Sequence, residues 1–385
     1  MTYTMSISCQ NLICVSIDGL HCGMIGAYGN SWIQTPAFDF LSVQSAVFDR
    51  YYASSVNLSD NFNLLWGRSW LEQFSRDGGD SFLVTDDSDI FNHADAFFTR
   101  KYMIDSSLNK LAETADETIF FKIFATIIDI ALEQLSNRSA GRYCIWAHLR
   151  GFRGDWDFPI SYRERHRDKE DPPSYLGYNL PTFEKFDPDE LQSVIESYSG
   201  GVSLLDDMLA GLLESIDSGE LGGQTALAIF GVRGFSLGEH ERIGANDELF
   251  GENIHLPLIV RLPDQVGATV RGVELLNPDD LADFFISVTK NRQAESNIVK
   301  LAEENEVEQR NLLKISGIDD EVALVTQNWF VRKKGNKIKV YVKPDDRWEV
   351  NDVSNRLNEN DRSEINSILE NSNIPAENLF CSLSR

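Results

Sequence analysis

The chain has 385 residues, 42% apolar and 25% charged, the balance of a folded globular protein large enough to bury a core without staples. Sixty Asp and Glu against 35 Lys and Arg leave a net charge of −25. That field repels polyanions, which argues against nucleic acid and anionic membrane surfaces as partners, although a local basic pocket can still hold a small anion.

Residues 1–13 lack a basic start, a long apolar stretch and a small-residue cleavage site, so no signal peptide is expected. Residues 11–17 (NLICVSI) form a nearly continuous apolar run that ends in Asp18-Gly19, the pattern of a buried central strand followed by a tight turn. Residues 117–135 carry apolar side chains at helical spacing. Lys122 and Asp129 break the most apolar window, which is too short and polar to span a bilayer. A second buried strand is predicted over 142–148 (RYCIWAH). Asp187-Pro188 supplies a cap and a first-turn proline for a long helix whose apolar face runs from Leu191 to Ile216. A third strand is predicted over 224–231 (QTALAIFG), and Asn277-Pro278 opens a helix over 281–288.

Beyond this point the pattern changes. Residues 294–314 are charged and read as a helical bridge. Short β-rich runs follow at 322–330, 331–333 and 337–342, with a hairpin turn at 334–336, and a last helix is expected over 361–369. The fold class is therefore α/β: a largely parallel central sheet flanked by helices over residues 1–290, a connecting helical segment over 291–314, and a small C-terminal α+β subdomain with an antiparallel sheet over 315–385. The five cysteines (Cys9, Cys14, Cys22, Cys144 and Cys381) show no C-x-x-C spacing, and Cys14 and Cys144 sit in strand-like runs as buried free thiols. A reducing, cytoplasmic setting is expected.

In open α/β sheets, chemistry gathers where strands end. Three such ends are legible: Asp18-Gly19, the loop from His148 to Arg153, and residues 231–234. Singly, each reads as a polar loop. In order, they have company. Residues 17–41 (IDGLHCGMIGAYGNSWIQTPAFDFL), residues 148–159 (HLRGFRGDWDFP), the helix around 198–213, Leu237-Gly238-Glu239-His240, the segment from Leu249-Phe250 through 255–260, and residues 343–353 (KPDDRWEVNDV) together resemble the sulfatase family of the alkaline-phosphatase-like superfamily. The resemblance covers most of the chain. It implies the α/β fold above, an appended C-terminal domain, and ancestral hydrolysis of sulfate esters at a divalent cation, calcium in the family's pattern.

The same resemblance exposes departures. Sulfate-ester transfer needs an electropositive site and a nucleophile activated beside a metal. The first metal position is kept as Asp18, but Gly19 stands where the family has a second Asp. Asn57 falls on the nucleophile position, and Ser59 and Asn61 replace the motif's proline and arginine. Val232-Arg233 replaces the second metal pair, Asn246 stands nearest the expected lysine, and Arg153 stands where a second histidine belongs.

Asp18 is thus the only clearly retained metal position, no cofactor is expected, and the implied cation reads as lost. Asp18, His148, Arg153, Arg233 and His240 remain as candidate binding residues, with sulfate, phosphate or an acidic sugar as the small-anion partner. Arg150, Arg153, Arg163, Arg165, His166 and Arg167 make one stretch basic. The acids interleaved there equally suit a solvated charge run. The leading expectation is a degenerate, non-hydrolytic relative in which Arg233 pairs with Asp18 where the cation would sit. Two alternatives stay open. One is an active sulfate- or phosphate-ester hydrolase using Ser59, with Ser55 behind it. The other is a purely structural or interaction protein. The sequence names no protein partner.

Overall fold

The computed structural model describes residues 9–105, 110–137, 141–179, 186–289, 296–304 and 310–370. The larger sheet is built from β1 (Asn11–Asp18), β2 (Ala46–Tyr52), β3 (Asp80–Thr85), β4 (Arg100–Met103), β5 (Tyr143–Leu149), β6 (Thr225–Arg233), β9 (His255–Arg261) and β10 (Arg271–Gly272). A two-residue hairpin, β7 (Ser236–Leu237) and β8 (Ile243–Gly244), intervenes after β6. The strand order is β10-β2-β9-β6-β1-β5-β3-β4, and β9 alone runs against its neighbours.

β1 lies between β6 and β5, as its unbroken apolar run predicts, and all eight of its residues are buried. Its side chains alternate between two cores. Leu12 and Cys14 face one layer with Cys144, Trp146, Ala228 and Phe230. Ile13, Val15 and Ile17 face the other with Ile145, Ala147 and Ile229.

Helices cover both faces. The first layer is closed by α2 (Leu58–Trp66), α3 (Trp70–Arg76) and α9 (Pro278–Thr289) through Phe62, Trp66, Trp70 and Phe285. The second is closed by α1 (Pro36–Val43), α5 (Ile119–Ser136) and α7 (Pro188–Asp217) through Phe38, Phe124, Ile127, Val202 and Leu205. α7 begins at a capping box in which Asp187 accepts from the Glu190 backbone and Glu190 reaches back to Asp187. Short helices α4 (Ser88–His93), α6 (Ile160–Arg163) and α8 (Gly251–Ile254) fill the connections.

Of the predicted bridging segment, 305–309 and the start of 294–314 lie outside the described residues. Between them runs α10 (Asn297–Glu304), and Lys314 is already in a strand rather than a helix. That strand, β11 (Leu313–Ser316), joins β12 (Val322–Val325), β13 (Trp329–Lys334) and β14 (Lys337–Val342) in an antiparallel sheet. The predicted run 322–330 is interrupted because the Thr326 hydroxyl accepts from the backbone of Asn328 and Trp329 and closes a turn. The hairpin turn is tighter than expected. Lys334 pairs with Lys337, which leaves Gly335-Asn336 as a two-residue loop with Gly335 at φ 55.

One face of the small sheet enters the first core layer through Ile315, Val325, Phe330 and Tyr341. The other packs Leu324, Val331 and Val340 against Ile365 and Ile368 of α11 (Glu359–Glu370).

Candidate functional site

β1, β3, β5 and β6 are parallel, so their carboxyl ends share one edge of the sheet. At that edge Ile17 pairs with Gly231, but the register then slips and Asp18 pairs with Arg233. The slip is a β-bulge: Val232 is the extra residue, and it re-aims the next side chain at the neighbouring strand. Val232 turns into the core, while Arg233 forks onto Asp18, with Nε donating to Oδ1 at 3.0 Å and Nη2 to Oδ2.

Arg153, from the loop after β5, approaches from the other side, its Nε 3.7 Å from Asp18 Oδ1. It is held there by donating to the carbonyls of Gly234 (3.0 Å) and Asn246 (2.9 Å). Burial alone would push the Asp18 carboxyl up; Arg233 first and Arg153 second more than offset it, and the net shift is downward.

The same loop explains Gly19. Gly19 has φ +75, and a Cβ there would lie 2.9 Å from the Arg153 backbone nitrogen. Gly151 has φ +55, and its Cβ would meet the Asp18 carbonyl at 2.4 Å. A Cβ-bearing residue such as Asp at position 19 is incompatible with this close approach of the Arg153 loop. Tyr198 of α7 fixes the turn: its hydroxyl donates to the Gly19 carbonyl (2.7 Å) and accepts from the His21 backbone (2.8 Å).

His148, next to last in β5, is wholly buried. Its Nδ1 lies 3.2 Å from Ser16 Oγ, which also accepts from the Trp146 indole. Its Nε2 has no hydrogen-bond partner among the described residues and sits 4.0 Å from Asp87 Oδ2. Burial first, opposed by Asp18 and Asp87, lowers its pKa to about 4. Asp87 and its neighbour Asp86 follow β3 and were missed in the sequence, although residues 81–87 (SFLVTDD) carry the same signal as β1, an apolar run ending in acid. Asp86 accepts from the Arg150 backbone (2.9 Å), and burial raises its carboxyl to about 7. Asp247, also unread, faces Arg153 at 3.6 Å.

Asn57 is the N-cap of α2, its side chain accepting from Ser59 N at 3.1 Å. It sits just before the first turn and is exposed, doing the work of a cap. Ser59 Oγ has no hydrogen-bonded base among the described residues. Ser55 does have a carboxylate contact, donating to Asp60 at 2.9 Å while accepting from the Asn57 backbone. Asn61 points inward. It accepts from the Ser54 and Ser55 backbones and reaches the Val232 carbonyl at 3.5 Å, tying α2 to the end of β6.

His240 and the basic run do not join this cluster. His240 stacks on Phe250 at 3.5 Å and bonds Glu252 (3.0 Å) and the Glu349 carbonyl (3.2 Å), bracing the small sheet. The arginines disperse. Arg150 faces Asp155, Arg163 is buried among backbone carbonyls, Arg165 pairs with Asp207, and Arg167 holds the carbonyls of Asp171 and Pro172. His166 bonds Ser203. Of these side chains only Arg153 approaches Asp18, and each of the others has an acceptor elsewhere.

A divalent cation of the calcium type takes six to eight oxygens. Here the retained carboxylate is already engaged by two guanidiniums, and its partner strand offers Val232 and Arg233. Among the described residues no three His, Cys, Asp or Glu side chains are grouped to hold a metal ion. The residues at this edge do not fit a divalent cation.

No known family profile matches the chain, and a search of curated proteins finds no relative. Solved structures do match. The phosphonate monoester hydrolase of Agrobacterium radiobacter is 14% identical at a TM-score of 0.74, with 94% of each chain covered. A protein solved with its substrate D-glucosamine-2-N,6-O-disulfate is 14% identical at 0.75, covering 96% of this chain and 100% of the other. A 2-O glycosaminoglycan sulfatase is 13% identical at 0.67, covering 94% and 90%. The eight-stranded mostly parallel sheet, its helical layers and the appended antiparallel sheet therefore match the fold of these sulfatase and phosphonate monoester hydrolase structures.

Proposed function

We propose that this chain is a non-hydrolytic member of the sulfatase-like fold, in which an arginine stands in for the catalytic cation. The observation that carries the reading is the fork of Arg233 on Asp18, seconded by Arg153. A guanidinium matches a carboxylate in charge and geometry, so Asp18 is satisfied without a metal. It supplies neither a Lewis acid nor a metal-bound nucleophile, the two things a cation brings to ester cleavage. Asn57, a carboxamide spent on a helix cap, offers no nucleophile.

A small anion such as sulfate, phosphate or an acidic sugar remains the ligand we assign to the family's cleft. Arg233, about a fifth exposed, and the free Nε2 of His148 support it. No helix among the described residues is long and apolar enough to cross a membrane. We further assign the protein to the cytoplasm, which four free buried thiols (Cys9, Cys14, Cys22 and Cys144) support.

The test is elemental analysis of protein equilibrated with calcium and magnesium, paired with assays on p-nitrophenyl sulfate, p-nitrophenyl phosphate and a phenylphosphonate monoester. Sub-stoichiometric metal and no turnover are expected. One tightly held cation, with turnover abolished by Asp18→Ala, would overturn the reading.

A further inference from the structure

A cavity of ≈ 480 Å³ opens where the small sheet meets the large one. Its walls come from the turn after β1, from β2, from the start of β9 and from the loop after β14. That volume is ordinary for a small-molecule site.

Each carboxylate of the wall has a basic side chain as its partner. Asp49 is paired with Arg271 at 2.6 Å, Glu252 bonds His240, and Glu349 pairs with Lys343. Two guanidiniums are not so paired. Arg50 donates only to neutral acceptors, the Gln327 side chain and the Thr326 carbonyl (2.6 Å) among them. Arg347 has no carboxylate within ion-pair reach among the described residues. Its guanidinium lies 5.0 Å from the Trp348 ring centroid and reaches across to Gly23, its Nη2 3.7 Å from where a Cβ on Gly23 would stand.

Two cations without counter-charges, facing one cavity of a chain with net charge −25, make a local field opposite to that of the molecule. The half-buried imidazole of His255 lies in the same wall. Burial first, and then Lys343, Arg347 and Arg50, hold its pKa down to about 4 against the hydrogen bond it makes to the Asp49 carbonyl. The wall is also flat. Tyr52 stacks on His255 at 5.0 Å, and Trp348 stands 46% exposed at the mouth.

We propose that this junction cavity binds a small oxyanion carried on a planar ring, its charged head between Arg50 and Arg347 and its ring against Tyr52, His255 and Trp348. A guanidinium fork matches a two-oxygen head, and aromatic walls favour a flat body over a hydrated ion. The site is separate from Asp18 and does not depend on whether that site hydrolyses esters.

Calorimetric titration with phenyl phosphate tests it, with inorganic phosphate and phenol as the head and the ring alone. Phenyl phosphate is expected to bind at least tenfold more tightly than either fragment, and more weakly as salt rises. Arg347→Gln should weaken it about tenfold and Trp348→Ala several-fold. Both residues are exposed, so circular dichroism of the variants should match the parent. Arg76→Gln, at an exposed arginine of α3 paired with Glu72, should leave the affinity unchanged. A flat titration to 10 mM at low salt would overturn the proposal. So would binding that survives Arg347→Gln but is lost in Arg233→Lys, since the anion would then sit at the strand ends.

Discussion

The proposed stand-in of Arg233 for a metal is a question of where one charge goes. Asp18 is 2% exposed, and an unpaired carboxylate there would cost several kcal/mol. Removing its partner strands it, so Arg233→Ala should destabilise by about 3 kcal/mol, eased a little by Arg153. The half-exposed Arg271, paired with Asp49, is the control: Arg271→Ala should cost under about 1 kcal/mol. Urea unfolding of the two variants decides it, and equal losses would mean that Arg233 is not neutralising a buried charge.

Asp86 is the opposite case. Its folded pKa, about 7, lies above the ordinary unfolded value of about 3.9. The folded state therefore holds a proton that the unfolded state has released, and stability falls as pH rises from about 4 to 7, then levels off. Asn keeps the acceptor for the Arg150 backbone without the charge. Asp86→Asn should therefore gain stability relative to the parent as pH goes from 5 to 8, by about 2 kcal/mol. A difference that stays constant with pH would show Asp86 ionised throughout. The Asp18–Arg233 pair was legible in the sequence because both residues sit at strand ends that the family resemblance brings together. Asp87 ends a run with the same signal and was passed over, while Asp247 meets Arg153 only through a contact between loops distant in sequence.

Elements decide which of these residues can meet. β1, β5 and β6 announced themselves as continuous apolar runs, since a strand buried on both faces has no polar side to show. β2 and β9 were harder. Mixed residues such as Asp49, Arg50 and His255 interrupt their patterns, and tertiary partners supply the missing compensation. The bulge at Val232 was invisible, because one slipped residue leaves no periodic trace, yet it is what turns Arg233 onto Asp18.

α2 shows what a helix start does with a carboxamide where the sequence resemblance expects a nucleophile. Asn57, the residue just before its first turn, is spent on capping the helix through Ser59 N. Asn57→Ala should cost about 1 kcal/mol. Asn57→Cys should lose most of the cap and yield no turnover of p-nitrophenyl sulfate, because the cation and the lysine are still lacking. Measurable turnover in that single variant would mean the rest of the machinery survives.

At the scale of the molecule, the small sheet is joined to the large one by a core and by a polar clasp. Its core contribution, through Ile315, Val325, Phe330 and Tyr341, is independent of pH. The clasp is not. His240 lies flat on Phe250 at 3.5 Å, and Arg332 of β13 covers Phe250 at 3.4 Å from the ring centroid. His240 also bonds Glu252 and the carbonyl of Glu349, whose own carboxylate holds the Gly251 backbone and Lys343. Burial works against the His240 cation, but Glu252 and then Glu349 outweigh it, so its pKa stands above the ordinary value. A histidine raised in the folded state contributes stability in full below its unfolded pKa of about 6.5, and loses it as pH rises through the folded value. Many other groups titrate in the same range, so the informative quantity is the difference between the parent and His240→Gln, which can bond but not ionise. That difference should favour the parent at pH 6 and shrink by pH 9 in urea unfolding, while trypsin cleavage of the parent within residues 310–370 accelerates over the same interval. If the difference is the same at both pH values, His240 is a neutral packing residue, and the clasp owes nothing to its charge.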